Sequence, residues 1–340
     1  MLTIEDYKAP IIFVWIGDLP GWVGESLSFS RKNNKSRDIY LLTDSSLVPV
    51  HCEIIARVVK IKASYIARIN NKLPNLEFSG NFWKRCSLRF FVLEDFVRKK
   101  NIKEFFHAEL DNALFDLGYL SNKFIRIGKG LFVPRDSESR AIASLIYCNR
   151  IESLSEFTDL YTSSNPPNHD MAALGIYSDV HSKYFYALPT ESFINNSSRW
   201  PLVSPQKVSG IFDAAAIGQY ILGVDPIHCQ FKPCWNGFVN ENCNIDLNSV
   251  IFFAEDSRIF IQYKASGIKF QIYNIHLHSK NWKAFHTIML NGDVLKKLNN
   301  GDKSIISNHL MILVGPIFSV IYRFSTLLLR MYKFIIREIF

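Results

Sequence analysis

The sequence predicts an α/β fold in which a Rossmann-like sheet is covered by helices. Two observations predict it. Apolar runs that end in polar turn residues recur along residues 10–115, and stretches with helical periodicity lie between them. Such alternation is typical of doubly wound sheets. The composition agrees, because 48% of the residues are hydrophobic and 21% are charged. That balance excludes collagen-like, coiled-coil and disordered chains.

The first elements follow in order. Residues 11–17 (IIFVWIG) form a continuous apolar run ended by Gly17 and Asp18, as expected of a buried parallel strand. Residues 19–33 then predict a turn and a helix, and 38–44 (DIYLLTD) predict a second strand. Residues 52–61 (CEIIARVVKI) predict a third strand.

Later elements are marked by changes of period. Residues 81–100 predict a helix, because apolar side chains recur there every three or four positions. Residues 102–115 predict a strand running into a loop, and 211–222 (IFDAAAIGQYIL) a helix. Residues 269–282 predict a late strand that also runs into a loop. We expect one domain over 1–300 and a separate segment over 305–340.

Ligands of doubly wound sheets bind beyond the carboxyl ends of the strands. This rule places along one rim Gly17, Asp18, Thr43, Asp44, Glu109 and Asp111. The sequence has no GxGxxG after the first strand and no GxxxxGK[ST], which counts against dinucleotide enzymes and P-loop NTPases.

One candidate metal site is the stretch HAELDN (107–112). In an extended strand His107, Glu109 and Asp111 would share a face. Two converging carboxylates are hard oxygen ligands suited to Mg²⁺ or Mn²⁺, and such an ion could neutralise a diphosphate. A solvated acidic turn is the alternative interpretation.

A second candidate is HLHSK (276–280), at the end of the late strand. His276 and His278 share a face by the same alternation, an imidazole can complete a Mn²⁺ shell, and Lys280 could hold a phosphate. A third is FDAAAIGQY (212–220), where small residues beside Asp213 would let a helix approach a ligand closely. It could equally be a helix packed through its alanines.

These motifs, in this order, together resemble bacterial GT-A-type glycosyltransferases over about residues 10–285, most strongly at FHAELDN and FDAAAIGQYILGVDP. The resemblance implies a GT-A fold with a mixed sheet, a nucleotide-sugar donor (we expect UDP-sugars) and a glycan or lipid-linked acceptor. It also implies a divalent cation, Mn²⁺ or Mg²⁺, on the diphosphate.

Site residues are also implied by the resemblance. Glu109-Leu110-Asp111 stands at the place of the DxD motif, with Asp111 as the safer ligand because the first acid is Glu. His278 followed by Lys280 matches the late metal ligand and diphosphate contact best, and His276 is the competitor. Asp213 and Gln219 are candidates beside the reacting sugar. Arg89 is a candidate donor contact.

A carboxylate at the sugar has two possible tasks, and Asp213 could serve either. It could stabilise the positive charge that develops at the anomeric carbon, or deprotonate the acceptor hydroxyl. The cation and Lys280 would stabilise the leaving phosphate.

The C-terminal segment has a different character. The apolar run 310–322 contains Gly315-Pro316 and is shorter than the roughly 20 residues that span a bilayer. Farther on, a basic stripe lines an otherwise apolar helical pattern, formed by Arg323, Arg330, Lys333 and Arg337. This pattern predicts binding of residues 309–340 to an anionic membrane surface, with docking on the protein's own core as the alternative.

The N-terminal residues and the net charge bear on the location and the partners of the protein. The N-terminal residues lack the order of a signal peptide, so we expect a cytoplasmic protein, peripheral on the inner face of the membrane. The net charge of +8 is spread along the chain without a nucleic-acid-binding motif, so we expect no nucleic-acid partner. The alternatives are a metal-dependent phosphoesterase and an inactive sugar- or membrane-binding module.

Overall fold

The computed structural model describes residues 8–71, 73, 82–135, 137, 139–191, 202–222 and 249–290. The predicted tail over 305–340 and the GVDP stretch at 223–226 lie outside the described residues. No helix within the described ranges combines the length and the apolarity needed to cross a bilayer.

The strands of the described chain are β1 Ile11–Trp15, β2 Ile39–Thr43, β3 Arg57–Lys60, β4 Phe105–Ala108, β5 Asn112–Leu114, β6 Leu131–Pro134, β7 Leu145–Cys148, β8 Phe185–Leu188, β9 Gly210–Ile211, β10 Val250–Glu255, β11 Arg258–Tyr263, β12 Lys269–Ile272 and β13 Asn274–His276. Its helices are α1 Val23–Asn33, α2 Val50–Ile55, α3 Ala63–Asn70, α4 Phe82–Lys99, α5 Leu120–Ile127, α6 Ile151–Asp159, α7 Asp170–Val180, α8 Pro205–Val208, α9 Ile217–Leu222 and α10 Trp282–Leu290.

The main sheet has seven strands in the order β3-β2-β1-β4-β7-β6-β8. Strand β1 runs parallel to β2 and to β4, whereas β7 is antiparallel to β4 and to β6. The predicted α/β class with a Rossmann-like, mixed sheet is therefore confirmed. The order β3-β2-β1-β4 is that of a doubly wound sheet, which reverses its direction of growth between β1 and β4.

Both faces of this sheet are buried, which explains the continuous apolar runs. Ile12 and Val14 of β1 join a core with α4, α6 and α7. Ile11 and Phe13 point the other way, into a core with α1, α2 and α5. Alternate residues of one strand thus fill opposite helix layers.

A smaller sheet, β10-β11-β12-β9, packs with α9 and α10 around a third apolar core. Strands β5 and β13 form a separate antiparallel pair. This pair joins the end of the main sheet to the smaller one, because β5 follows β4 closely and β13 follows β12.

Three predicted elements differ in detail. The predicted strand 52–61 is α2 followed by β3. Pro49 precedes the helix, and Ile54 is 81% exposed, which a buried strand would not allow. The predicted helix 211–222 starts only at Ile217. The predicted strand 269–282 divides into β12 and β13, and its last residue begins α10.

Candidate metal centre

The carboxyl ends of β1 and β2 meet at the predicted rim. The Gly17 amide donates to Asp44 Oδ1 at 2.7 Å. Gly17 has φ +101°, and a Cβ there would lie 3.3 Å from Arg85 Nη1, so glycine suits this position by conformation and by space. The structure therefore gathers Gly17, Asp44 and Arg85 at one corner of the sheet.

Two further rim residues, Asp18 and Thr43, make local hydrogen bonds. Asp18 is exposed, and its carbonyl accepts from Trp15 Nε1 at 2.7 Å. Thr43 is buried, and its hydroxyl accepts from the Ser45 amide at 3.1 Å. Donor contacts by the four residues Gly17, Asp18, Thr43 and Asp44 stay predictions.

The stretch HAELDN is not extended throughout. Strand β4 ends at Ala108, and a turn follows in which the Asn112 amide donates to the Glu109 carbonyl at 3.1 Å. His107 does not share the site, contrary to the predicted alternation. Its ring is fully buried, and its Nδ1 lies 2.9 Å from the Ile12 carbonyl oxygen. Burial, reinforced by Arg89, lowers the pKa of His107 to about 3, so the ring is neutral.

Strand β13 carries the imidazole of the site, that of His276. It pairs with β5 in a register that sets His276 opposite Asn112. The Leu277 amide continues the pairing by donating to the Asp111 carbonyl at 2.8 Å. The end of β13 therefore lies against the turn that carries both acids.

Glu109, Asp111 and His276 converge on one point. His276 Nε2 lies 3.3 Å from Glu109 Oε2 and 3.4 Å from Asp111 Oδ1. One ligand atom from each of the three residues lies within 4.8 Å of the other two, and no other group of this kind occurs in the described ranges. The side chains remain 11–21% exposed, so solvent still reaches the site.

The site is strongly polarised. Burial alone would lower the pKa of His276, but Asp111 and Glu109 raise it to about 10. Burial would raise the pKa of Glu109, but Arg89 and His276 hold it below its usual range. His276 likewise overrides burial at Asp111 and lowers its pKa. In the metal-free site these shifts favour the protonated imidazole, and a cation bound at Nε2 would replace that proton.

His276, rather than His278, contacts the carboxylates. The ring centroid of His278 lies 5.9 Å from that of His276, outside the converging group. Lys280 stands beside the group, with Nζ 3.8 Å from Asp111 Oδ2 and 3.2 Å from the His278 carbonyl oxygen. Its backbone φ is +55°, a conformation that costs a residue with a side chain about 1 kcal/mol or more.

Arg89 is held by two carboxylates. Its Nη1 lies 2.6 Å from Glu109 Oε1, and its Nη2 lies 2.5 Å from Asp170 Oδ2. Burial would lower its pKa, but the two acids raise it. Both terminal nitrogens thus contact protein carboxylates, and the predicted contact of Arg89 with the donor stays a prediction.

Asp213 is fully buried, and its carboxylate accepts four backbone hydrogen bonds. Three come from the start of α9, from Ala216 at 2.8 Å, Ile217 at 2.9 Å and Gly218 at 2.8 Å. The fourth comes from the His276 amide at 2.9 Å. Asp213 therefore caps α9 and fixes the end of β13. Its catalytic role stays a prediction.

In FDAAAIGQY the structure shows a close approach to the protein backbone, and the predicted approach to a ligand stays a prediction. A Cβ on Gly218 would lie 1.9 Å from the His276 carbonyl oxygen, so only glycine fits there. Gln219, one residue on, is buried, and its predicted role at the sugar also stays a prediction.

Two residues near the site were not predicted from the sequence. Asn274 Nδ2 donates to Asn112 Oδ1 at 2.9 Å, which ties β13 to β5 beneath the carboxylates. Asp170 holds Arg89 and lies at the start of an apolar helix. In the sequence it resembles an ordinary acidic residue of a helix N-terminus. The one available signal for Asn274 was a polar residue inside an apolar strand.

No protein-family model and no curated protein sequence matches the chain. Among solved structures, mouse xyloside xylosyltransferase 1 is similar at 11% identity, over 54% of this chain and 86% of that one, with a TM-score of 0.36. The galactosyltransferase LgtC with donor and acceptor sugar analogues matches at 8% identity, over 54% and 74%, with a TM-score of 0.36. A cytidylyltransferase from Leptospira borgpetersenii matches at 14%, over 57% and 79%, with a TM-score of 0.34. At these values the likenesses assign no family to the chain.

Proposed function

We propose that the chain is a metal-dependent glycosyltransferase that moves a sugar from a nucleoside-diphosphate sugar, a UDP-sugar by expectation, to a glycan or lipid-linked acceptor. The observation that carries the proposal is the convergence of Glu109, Asp111 and His276 at the ligand-binding edge of a doubly wound sheet.

The donor set fits a divalent cation of intermediate hardness. Two carboxylate oxygens suit Mg²⁺ and Mn²⁺, and an imidazole nitrogen favours Mn²⁺ over Mg²⁺. Glu109 Oε2, Asp111 Oδ1 and His276 Nε2 would hold the ion. When bound, it would neutralise the diphosphate and stabilise the negative charge of the leaving nucleotide.

The protein groups around the ion would do the rest. Lys280, beside Asp111, would place its ammonium on the diphosphate. The corner formed by Gly17, Asp44 and Arg85 would hold the nucleoside part of the donor. Asp213 and Gln219 would support the sugar side, where Asp213 already fixes the backbone that presents His276.

The proposal is tested by measuring Mn²⁺-dependent nucleotide release from a panel of UDP-, GDP- and CMP-sugars. We expect release from one donor class, and loss of release in Asp111→Asn. Asp95→Asn is the matched control, because Asp95 pairs with Lys99 on the surface of α4. Release that is independent of Mn²⁺, or equal in Asp111→Asn and the native protein, would contradict the proposal.

A metal-dependent phosphoesterase is the second candidate. Many such enzymes use two ions, and the described residues supply a single three-ligand group. A plain phosphodiester substrate, supplied in the same assay, separates the two functions. Hydrolysis of the diester without release from any nucleotide-sugar would favour the phosphoesterase. An inactive binding module would bind the cation and release nothing.

We also propose that residues 309–340 attach the protein to anionic membrane surfaces, on the basis of their basic and apolar sequence pattern. Deletion of 309–340 should abolish sedimentation with phosphatidylglycerol vesicles and leave Mn²⁺ binding intact. Unchanged sedimentation would contradict this location.

A further inference from the structure

A buried arginine joins the candidate metal centre to a third carboxylate. Arg89, in the middle of α4, bridges Glu109 and Asp170 through its two terminal nitrogens, at 2.6 and 2.5 Å. The side chains of Arg89 and Asp170 are 8% and 4% exposed. Arg89 Nε is buried without a hydrogen-bond partner in the described structure, so these two ion pairs anchor the guanidinium.

This bridge determines how Glu109 presents its oxygens. Oε1 faces Arg89, and Oε2 faces His276 and the cation position. A guanidinium prefers to bind both oxygens of a carboxylate with its planar fork. Asp170 prevents that arrangement at Glu109 by occupying the second nitrogen.

Asp170 also reduces the electrostatic repulsion between Arg89 and a bound cation. Only the carboxylate of Glu109 would separate a cation at the centre from the buried positive charge of Arg89. Like charges repel strongly at low effective dielectric. Asp170 compensates this charge at the other terminal nitrogen of Arg89, which leaves the second oxygen of Glu109 to compensate the cation.

We propose that Asp170 is a positioning residue of the cation site: through Arg89 it keeps one oxygen of Glu109 free and offsets a positive charge that would oppose cation binding. This inference rests on the cation site proposed above. It predicts that loss of the Asp170 charge lets Arg89 bind both oxygens of Glu109 and withdraw that ligand.

Asp170 also has a local structural contact, because its Oδ1 accepts from the Met171 amide at 3.0 Å. A loss of stability in a variant of Asp170 therefore does not by itself distinguish a positioning role from a structural one. A matched control is Glu156→Gln, which breaks the partly buried pair of Glu156 with Arg150, at 2.7 Å, away from the candidate ligands.

The experiment is calorimetric titration of the metal-free, full-length protein with Mn²⁺, with urea unfolding as the measure of folding. We expect Asp170→Asn to weaken Mn²⁺ binding about 10- to 100-fold, the range typical of residues that orient metal ligands. Glu156→Gln should bind Mn²⁺ like the native protein. Replacing Arg89 as well, in Arg89→Met/Asp170→Asn, should recover part of the affinity, because the competing guanidinium is gone.

The outcomes separate the two proposals. Native Mn²⁺ affinity in folded Asp170→Asn, together with weakened binding in Asp111→Asn, would overturn the role of Asp170 alone. Native affinity in both would overturn the cation site and this inference with it. If Asp170→Asn fails to fold, the comparison of Arg89→Met with Arg89→Met/Asp170→Asn provides the test. Because Asp170 acts through Arg89, the two variants should bind Mn²⁺ about equally, and clearly weaker binding in the double variant overturns the inference.

Discussion

The sharpest prediction concerns two histidines that the sequence places two residues apart. His276 contacts both carboxylates of the proposed cation site, at 3.3 and 3.4 Å, whereas His278 lies outside the group. We therefore compare His276→Asn with His278→Asn, which remove the same ring from neighbouring positions.

The magnitudes follow from the burial and the charges. In the metal-free protein His276 is the imidazolium partner of Glu109 and Asp111. Removal of one member of a buried ion pair costs about 3–5 kcal/mol. Because these side chains are still 11–21% exposed, we expect His276→Asn to lower the free energy of unfolding by about 3 kcal/mol, at the low end of that range. Loss of a direct ligand should weaken Mn²⁺ binding at least about 100-fold, since even supporting residues contribute 10- to 100-fold.

Two measurements on each variant test these values. Urea unfolding in EDTA gives the stability of the metal-free protein, and calorimetric titration with Mn²⁺ gives the affinity. His278→Asn should change the affinity by less than about threefold, because His278 lies outside the group that would hold the ion. Native-like binding in His276→Asn, or a larger loss of binding in His278→Asn, would refute the assignment of His276 as the ligand.

Three further predictions concern the support of the site. Asp213→Asn should lower the free energy of unfolding, measured in urea, by about 3 kcal/mol, because an amide cannot accept all four backbone hydrogen bonds. Unchanged stability with lost activity would instead indicate a purely catalytic role for Asp213. Gly218→Ala should displace the His276 carbonyl and weaken Mn²⁺ binding, whereas Gly21→Ala, with no atom within 4 Å of its Cβ, should leave it unchanged. Burial raises the pKa of Tyr273 to about 12 in the folded protein, above the value near 10 of the unfolded chain, so its share of stability is complete below pH 10 and is lost as the pH rises toward 12. Tyr273→Phe should make urea stability depend less steeply on pH across that window, and an unchanged slope would contradict this origin.

The positions of β1 and β2 along the chain could be predicted because both faces of the main sheet are buried. Continuous apolar runs such as 11–15 mark strands of this kind, and the structure has β1 there. The run at 52–61 did not follow this rule. Its apolar residues are divided between a short helix, where Ile54 is 81% exposed, and an adjacent strand of exposed and half-buried residues, and composition alone does not distinguish these from one buried strand.

Within the candidate site, the sequence supplied the acids, whereas the family resemblance favoured His278 over His276 as the imidazole beside them. Glu109 and Asp111 lie two residues apart, so even a turn brings them together. The choice of His276 depends on the register of β13 against β5, in which His276 faces Asn112. A shift of two residues would set His278, which shares that face, opposite Asn112 instead.

The sequence by itself determined the alternation of strands and helices and the residue types that suit a divalent cation, because these depend on local period and local chemistry. Only the tertiary structure decided that Asp170 forms an ion pair with Arg89. It also decided that the Asp213 carboxylate accepts hydrogen bonds both from the start of α9 and from the His276 amide of β13. Those contacts join residues far apart in the chain, and their ion pairs and hydrogen bonds form only when the packed sheet and helices bring the partners together and exclude water.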